Sequence, residues 1–138
     1  MERRIITLCG STRFYESFQR ANFELTMRGI IVLSVGFYPH AEQAWGAKEH
    51  GETIGVSPEQ KEALDVLHFD KIRMSDGIFV LNVDGYVGDS TRNEIACALA
   101  LNKDVDWLDP ERGGDTWLEA NAHDIGKRMA ALLERGLL

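Results

Sequence analysis

Two short, contiguous apolar runs separated by one helical stretch constrain this chain more than any other feature. Arg4-Ile-Ile-Thr-Leu-Cys9 stops at Gly10-Ser11, and Ile30-Ile-Val-Leu-Ser-Val35 gives way to Gly36. Runs of this length that lack polar alternation are strands covered on both faces, and the glycines that end them mark tight turns. Between them, from Thr12 to Arg28, Phe14, Phe18, Ala21 and Leu25 recur at helical spacing, with Gly29 where a left-handed C-cap residue is expected. The product is a βαβ unit, whose crossover is right-handed almost without exception.

The rest of the chain repeats the alternation. Residues 36–56 show no clean period and form a longer connection than compact domains usually carry. Ser57-Pro58-Glu59-Gln60 combines an N-cap serine, a proline at the first helical position and a glutamine at the third, which predicts a helix from there to about Met74, with Ala63, Leu64, Leu67 and Ile72 on its apolar face. Gly77–Val83 reads as a third strand, Asp84–Ser90 as a Gly-rich loop and Thr91–Leu101 as a helix. Asp104–Leu108 is expected as a short fourth strand and Asp115–Leu133 as a last amphipathic helix. Strands alternating with helices predict an α/β, flavodoxin- or Rossmann-like doubly wound parallel sheet, with 1–138 forming a single domain. Ligands of such sheets bind outside the carboxyl ends of the strands, where the loops Gly10–Arg13, Gly36–His40 and Asp84–Glu94 should meet.

Composition narrows the class of ligand. A net charge of -7 argues against a nucleic-acid groove, because backbone binding draws its affinity from Lys and Arg. Cys9 and Cys97 sit in apolar runs without CxxC spacing, so buried free thiols are expected rather than a disulfide. His40, His50, His68 and His123 have no metal-like spacing with one another, so no metal and no cofactor are expected. There is no long uncharged apolar stretch and no signal-like start, which makes a cytoplasmic protein with no membrane partner the expectation.

Three groups of residues carry possible chemistry. Gly10-Ser11-Thr12-Arg13 places two hydroxyls and a guanidinium where a strand turns into a helix, a setting suited to a phosphate or a sugar hydroxyl. The same pattern is also met by Ser11 capping the helix while Arg13 points into water. The loop Asp84-Gly-Tyr-Val-Gly88-Asp89-Ser90 delivers Glu94 near the start of the next helix, where the helix dipole favours an ionised carboxylate and hence a nucleophile. Thr91-x-x-Glu94 is equally a capping box. Asp70 opposes the dipole at the end of its helix and is suited either to a site or to a salt bridge with Lys71 or Arg73. Tyr38 and Trp45 could stack a base or pack as ordinary aromatics.

Together these residues resemble the nucleoside 2-deoxyribosyltransferase superfamily, including its 2'-deoxynucleoside 5'-phosphate N-hydrolase branch. The likeness rests on Ile6-Thr-Leu-Cys-Gly-Ser-Thr-Arg13, on Asp70 to Asp76 with Val80, and on Ser90-Thr-Arg-Asn-Glu-Ile-Ala-Cys-Ala98. It leaves 38–56 and the tail beyond 103 unmatched. The resemblance implies that Glu94 is a nucleophile in an E-[LI]-x-x-A helix and that Asp70 orients sugar and base. It also implies that Ser11 and Arg13 form the turn that, in the N-hydrolase branch, holds a 5'-phosphate. Gly10, Thr12, Tyr38, Asp84, Gly88, Asp89 and Ser90, read from their loops and not from the resemblance, complete the expected substrate site. One departure is the pair of acids, Asp84 and Asp89, in a loop where phosphate-specific members favour small neutral residues. The expected activity is cleavage or transfer of the N-glycosidic bond of a nucleoside or its 5'-monophosphate. Cleavage of a nicotinamide dinucleotide at its glycosidic bond and a non-catalytic nucleotide-binding module are the alternatives. The apolar residues Trp117, Met129, Leu132 and Leu133, together with the resemblance, lead to the expectation of at least a homodimer.

Overall fold

The computed structural model describes residues 2–35 and 57–138. The βαβ unit is formed by β1 (Ile5–Cys9), α1 (Tyr15–Met27) and β2 (Ile31–Leu33). It is followed by α2 (Pro58–Met74), β3 (Gly77–Val80), α3 (Asp89–Ala100), β4 (Asp104–Trp107), α4 (Gly114–Ala120) and α5 (Ala122–Glu134). The four strands make one parallel sheet in the order β2-β1-β3-β4, so the α/β doubly wound architecture expected from the alternation is the one observed. The chain leaves β1 towards one edge and β3 towards the other, which opens the ligand-binding crevice of such sheets between the carboxyl ends of β1 and β3.

Alternation along the strands sorts the core into two layers. Ile6 and Leu8 point to the α1 face, where Phe18, Ala21, Leu25 and Leu81 are buried with them. Cys9, Ile78 and Val80 point to the opposite face, covered by Phe69 and Ile72 of α2, by Ile95 to Ala98 of α3 and by Ile125 and Leu132 of α5. Each fully buried Ile, Leu, Val or Phe side chain among them contributes roughly 1.5–3 kcal/mol. At the sheet's amino end the Thr7 hydroxyl meets that of Ser75, which caps the last turn of α2 by donating to the Lys71 carbonyl.

The start of α2 follows its local chemistry closely. Ser57 Oγ accepts from Gln60 N, and Gln60 Oε1 accepts from Ser57 N, a complete capping box with Pro58 at the first helical position. Its buried face differs from the predicted one: His68, Phe69 and Ile72 are inside, whereas Ala63 and Leu67 are exposed. Packing against the sheet chose the face, and the mixed apolar residues of α2 did not mark it uniquely.

Other boundaries also shift. Residues 11–14 form a turn, closed by Phe14 N donating to Ser11 O, before α1 begins. β3 ends at Val80, after which Asn82 is buried and Asp84 and Gly85 adopt left-handed backbone conformations in a 3-10 turn. The expected last helix breaks at Asn121, whose side chain donates to Trp117 O and accepts from Arg92, separating α4 from α5. Trp117, Met129 and Leu132 pack on the chain's own core, and Leu133 alone of the expected apolar stripe is largely exposed, at 65%. Among the described residues no helix is long and apolar enough to cross a membrane, and both cysteines are buried free thiols.

Candidate functional site

Glu94 is the centre of the site. It is the sixth residue of α3, because the helix begins at Asp89 after a Gly88 N-cap. Thr91 and Glu94 therefore do not occupy capping positions, and the capping-box alternative does not apply. The same shift removes the dipole argument, since that effect falls off within the first turn. Burial governs instead. The side chain is only 10% exposed, and burial pushes the carboxyl up to about 8, with Asp65 raising it further and Cys9 and Lys61 opposing. Unliganded Glu94 is thus largely protonated at neutral pH, the reverse of the ionised state expected from a helix N-terminus. Among the described residues Glu94 Oε2 has no hydrogen-bond partner, an arrangement that costs about 1–3 kcal/mol for a buried polar atom.

Two more buried side chains converge on Glu94 from other elements. His68 Nε2, on α2, lies 3.8 Å from Glu94 Oε1, and Cys9 Sγ, at the end of β1, lies 3.6 Å from His68 Nε2. Burial and the neighbouring Lys71 lower the imidazole to about 4, against a hydrogen bond to the Leu8 backbone that raises it. Burial and Glu94 raise the Cys9 thiol well above its ordinary value. At neutral pH the imidazole and the thiol are therefore both uncharged, which suits an interior of low dielectric. Histidine spacing argues against a metal site, yet the tertiary structure brings together a Cys/His/Glu set that no linear spacing displays.

The outer face of α2 supplies a polar rim. Lys61 and Asp65, at helical spacing from His68, pair at 3.1 Å, and Lys61 Nζ also donates to Ser90 Oγ at 3.1 Å. Asp70 lies elsewhere. Two residues beyond His68 it is turned to a different side of the helix; its side chain is 55% exposed and pairs with Arg73 Nη1 at 2.5 Å. The salt-bridge alternative describes Asp70, and His68 is the α2 side chain that faces Glu94.

The loops after β1 and β3 do meet. Gly10 packs against Leu81, where a Cβ would lie 3.1 Å from the Leu81 Cβ, so the close approach of the two strand ends favours glycine. Ser11 and Thr12 are partly buried beside it, and Ser11 Oγ accepts from Arg13 N at 3.4 Å. The exposed Arg13 guanidinium stacks over Tyr86 at 3.9 Å and Phe14 at 4.9 Å, instead of standing free in water. Tyr86 in turn lies over Gly88, where a Cβ would come within 2.9 Å of its hydroxyl. The two loop acids are drawn outward, Asp84 towards Arg112 at 4.0 Å and Asp89 onto Arg128 at 2.9 Å, which lessens the repulsion a phosphate would meet. Tyr38 lies outside the described residues, as do Trp45, His40 and His50.

Sequence reasoning missed His68, Cys9 and the buried Asn82. The Asn82 amide donates to the carbonyls of Asp109 and Arg112 and accepts from Asp109 N, tying the end of β3 to the segment after β4. A polar residue directly after an apolar strand was the available signal. Comparison of the sequence with models of known protein families and with curated proteins gives no match.

Proposed function

We propose that the protein cleaves or exchanges the N-glycosidic bond of a nucleoside or its 5'-monophosphate, with Glu94 attacking C1'. The observation that carries this reading is the buried carboxyl of Glu94, whose Oε2 has no partner among the described residues and which lies within 4.8 Å of Cys9, at the carboxyl end of β1 where sheets of this topology bind their ligands. A buried acid with one oxygen left unsatisfied is an unfavourable choice for packing alone and a suitable one for a reacting group. Attack needs the ionised form. His68 Nε2, 3.8 Å from Glu94 Oε1, is placed to relay the Glu94 proton, directly or through one water. Because burial sets the imidazole below the carboxyl, this transfer is uphill in the free site and is driven by substrate binding. The carboxylate oxygen then bonds to C1' while the C1'–N bond breaks, its electron pair leaving with the base, and the proton held by His68 passes to that base. Water or a second base resolves the glycosyl-enzyme ester. Ser11 and the Arg13–Tyr86 stack would receive the 5' end of the substrate, and no cofactor takes part. The free buried thiols suit a reducing, cytoplasmic setting.

The test is a panel of ribo- and deoxynucleosides, their 5'-monophosphates and a nicotinamide dinucleotide, read by chromatography for released base. Base release by the wild type and not by Glu94→Gln is expected. No release from any member, or equal release by the variant, would remove the proposal, and tight binding without turnover would indicate a binding module. Release confined to nicotinamide would point to the dinucleotide reaction. Adding a free acceptor base separates transfer from hydrolysis.

A further inference from the structure

The donor atoms of Cys9, His68 and Glu94 all lie within 4.8 Å of one another, although the residues come from β1, α2 and α3. We propose that this triangle is a binding site for one zinc ion. The inference rests on the donor geometry and does not require the glycosidic reaction.

Zinc binds thiolate at about 2.3 Å, imidazole at about 2.0–2.1 Å and carboxylate at about 2.0–2.2 Å, so tetrahedral ligand atoms stand roughly 3.4–3.6 Å apart. Two edges, 3.6 Å from Cys9 Sγ to His68 Nε2 and 3.8 Å from His68 Nε2 to Glu94 Oε1, are already close to that geometry, and the third, from Cys9 to Glu94, lies within 4.8 Å and would close by up to about 1.2 Å around an ion. The donor set is one soft sulfur, one imidazole and one carboxylate, which favours zinc over magnesium or calcium, whose sites are built from oxygen. Glu94 Oε2, buried and without a partner among the described residues, is an independent sign that this corner is not satisfied by protein contacts alone. The hydrogen bond between the His68 ring and the Leu8 backbone is of the kind that orients metal-bound histidines.

Charge also balances. Binding displaces the Cys9 thiol proton and any proton on Glu94, so one Zn2+ with a thiolate and a carboxylate leaves a neutral cluster in a buried place. Three protein donors leave a fourth position for water, the pattern of an exchangeable rather than a closed site. An ion seated here engages Glu94 directly and withholds it from any other bond.

The experiment uses the whole chain, stripped with a chelator, dialysed and titrated with zinc sulfate against a chromophoric competitor. One equivalent bound is expected, with up to two protons released per zinc. Cys9→Ser, nearly isosteric, and His68→Asn should each weaken binding by about 100-fold or more, above the ~10–100-fold typical of losing an outer partner of a metal ligand. Cys97→Ser, whose thiol is not among the converging donors, should bind as the wild type does. In the cobalt-substituted protein a thiolate-to-metal charge-transfer band should appear and be absent from Cys9→Ser, provided circular dichroism shows that variant folded. No zinc retained by the wild type, or retention unchanged in Cys9→Ser, overturns the site. A lack of base release from metal-free protein would count against the glycosidic proposal alone, because the zinc measurement is made without turnover.

Discussion

Replacing Glu94 by Gln keeps the shape of the side chain and removes its ability to ionise, which makes it a test of both stability and function. In the folded chain burial raises the carboxyl to about 8 from 4.5. The unfolded chain gives up this proton near pH 4.5, while the folded chain keeps it to about pH 8. The contribution of Glu94 to stability therefore falls as pH rises between those values and is level above them. At about 1.4 kcal/mol per pH unit, Glu94 costs the folded state about 3 kcal/mol at pH 7 and about 5 kcal/mol above pH 8. Glu94→Gln is free of this loss, and its amide can donate to His68 Nε2. The variant should match the wild type near pH 4 and exceed it increasingly from pH 5 to 8, with the gap level beyond. Urea unfolding at each pH, in the presence of a chelator, measures the gap, and base-release assays run alongside. His68 titrates in both proteins, so the difference between them reports mainly on Glu94. A variant that gains stability while losing turnover has given up a group retained for function. A variant less stable than the wild type at pH 8, with base release intact, would refute the reasoning and make Glu94 a structural residue.

Other outcomes follow from the same geometry. Arg13→Ala should raise KM for a 5'-monophosphate at least about tenfold more than for the matching nucleoside, because a charge-assisted contact is worth about 1.5–3 kcal/mol; equal effects on both substrates would remove the phosphate assignment. Asn82→Ala leaves the carbonyls of Asp109 and Arg112 and the Asp109 N–H without their amide partner. It should lower stability by about 2–4 kcal/mol in urea unfolding, and a loss below about 0.5 kcal/mol would show that the tie between β3 and β4 is dispensable. Light scattering at micromolar concentration should give at least a homodimer, now on the strength of exposed Phe23, Met27 and Ile31 rather than of the last helix; an active monomer there would end the proposal.

Local chemistry determined much of this protein. The apolar runs ending at Cys9 and Val35 mark β1 and β2, and Ser57, Pro58 and Gln60 set the start of α2 through contacts between residues three apart. The order of those elements was enough for a doubly wound parallel sheet. The site was legible only in part. Glu94 stood out beside its loop, but its ionisation was misjudged, because a helix start displaced by two residues moves it out of reach of the dipole, and burial then governs its proton. Asp70 and His68 differ by two positions, a turn of about 200° around a helix, and nothing in the mixed residues of α2 says which of them faces inward. Packing of α2 on the sheet decided that. Cys9, His68 and Glu94 meet because β1 and β3 are neighbours in parallel register while α2 and α3 cover the same face. That meeting depends on contacts between residues far apart in the chain, which no local period or spacing can carry.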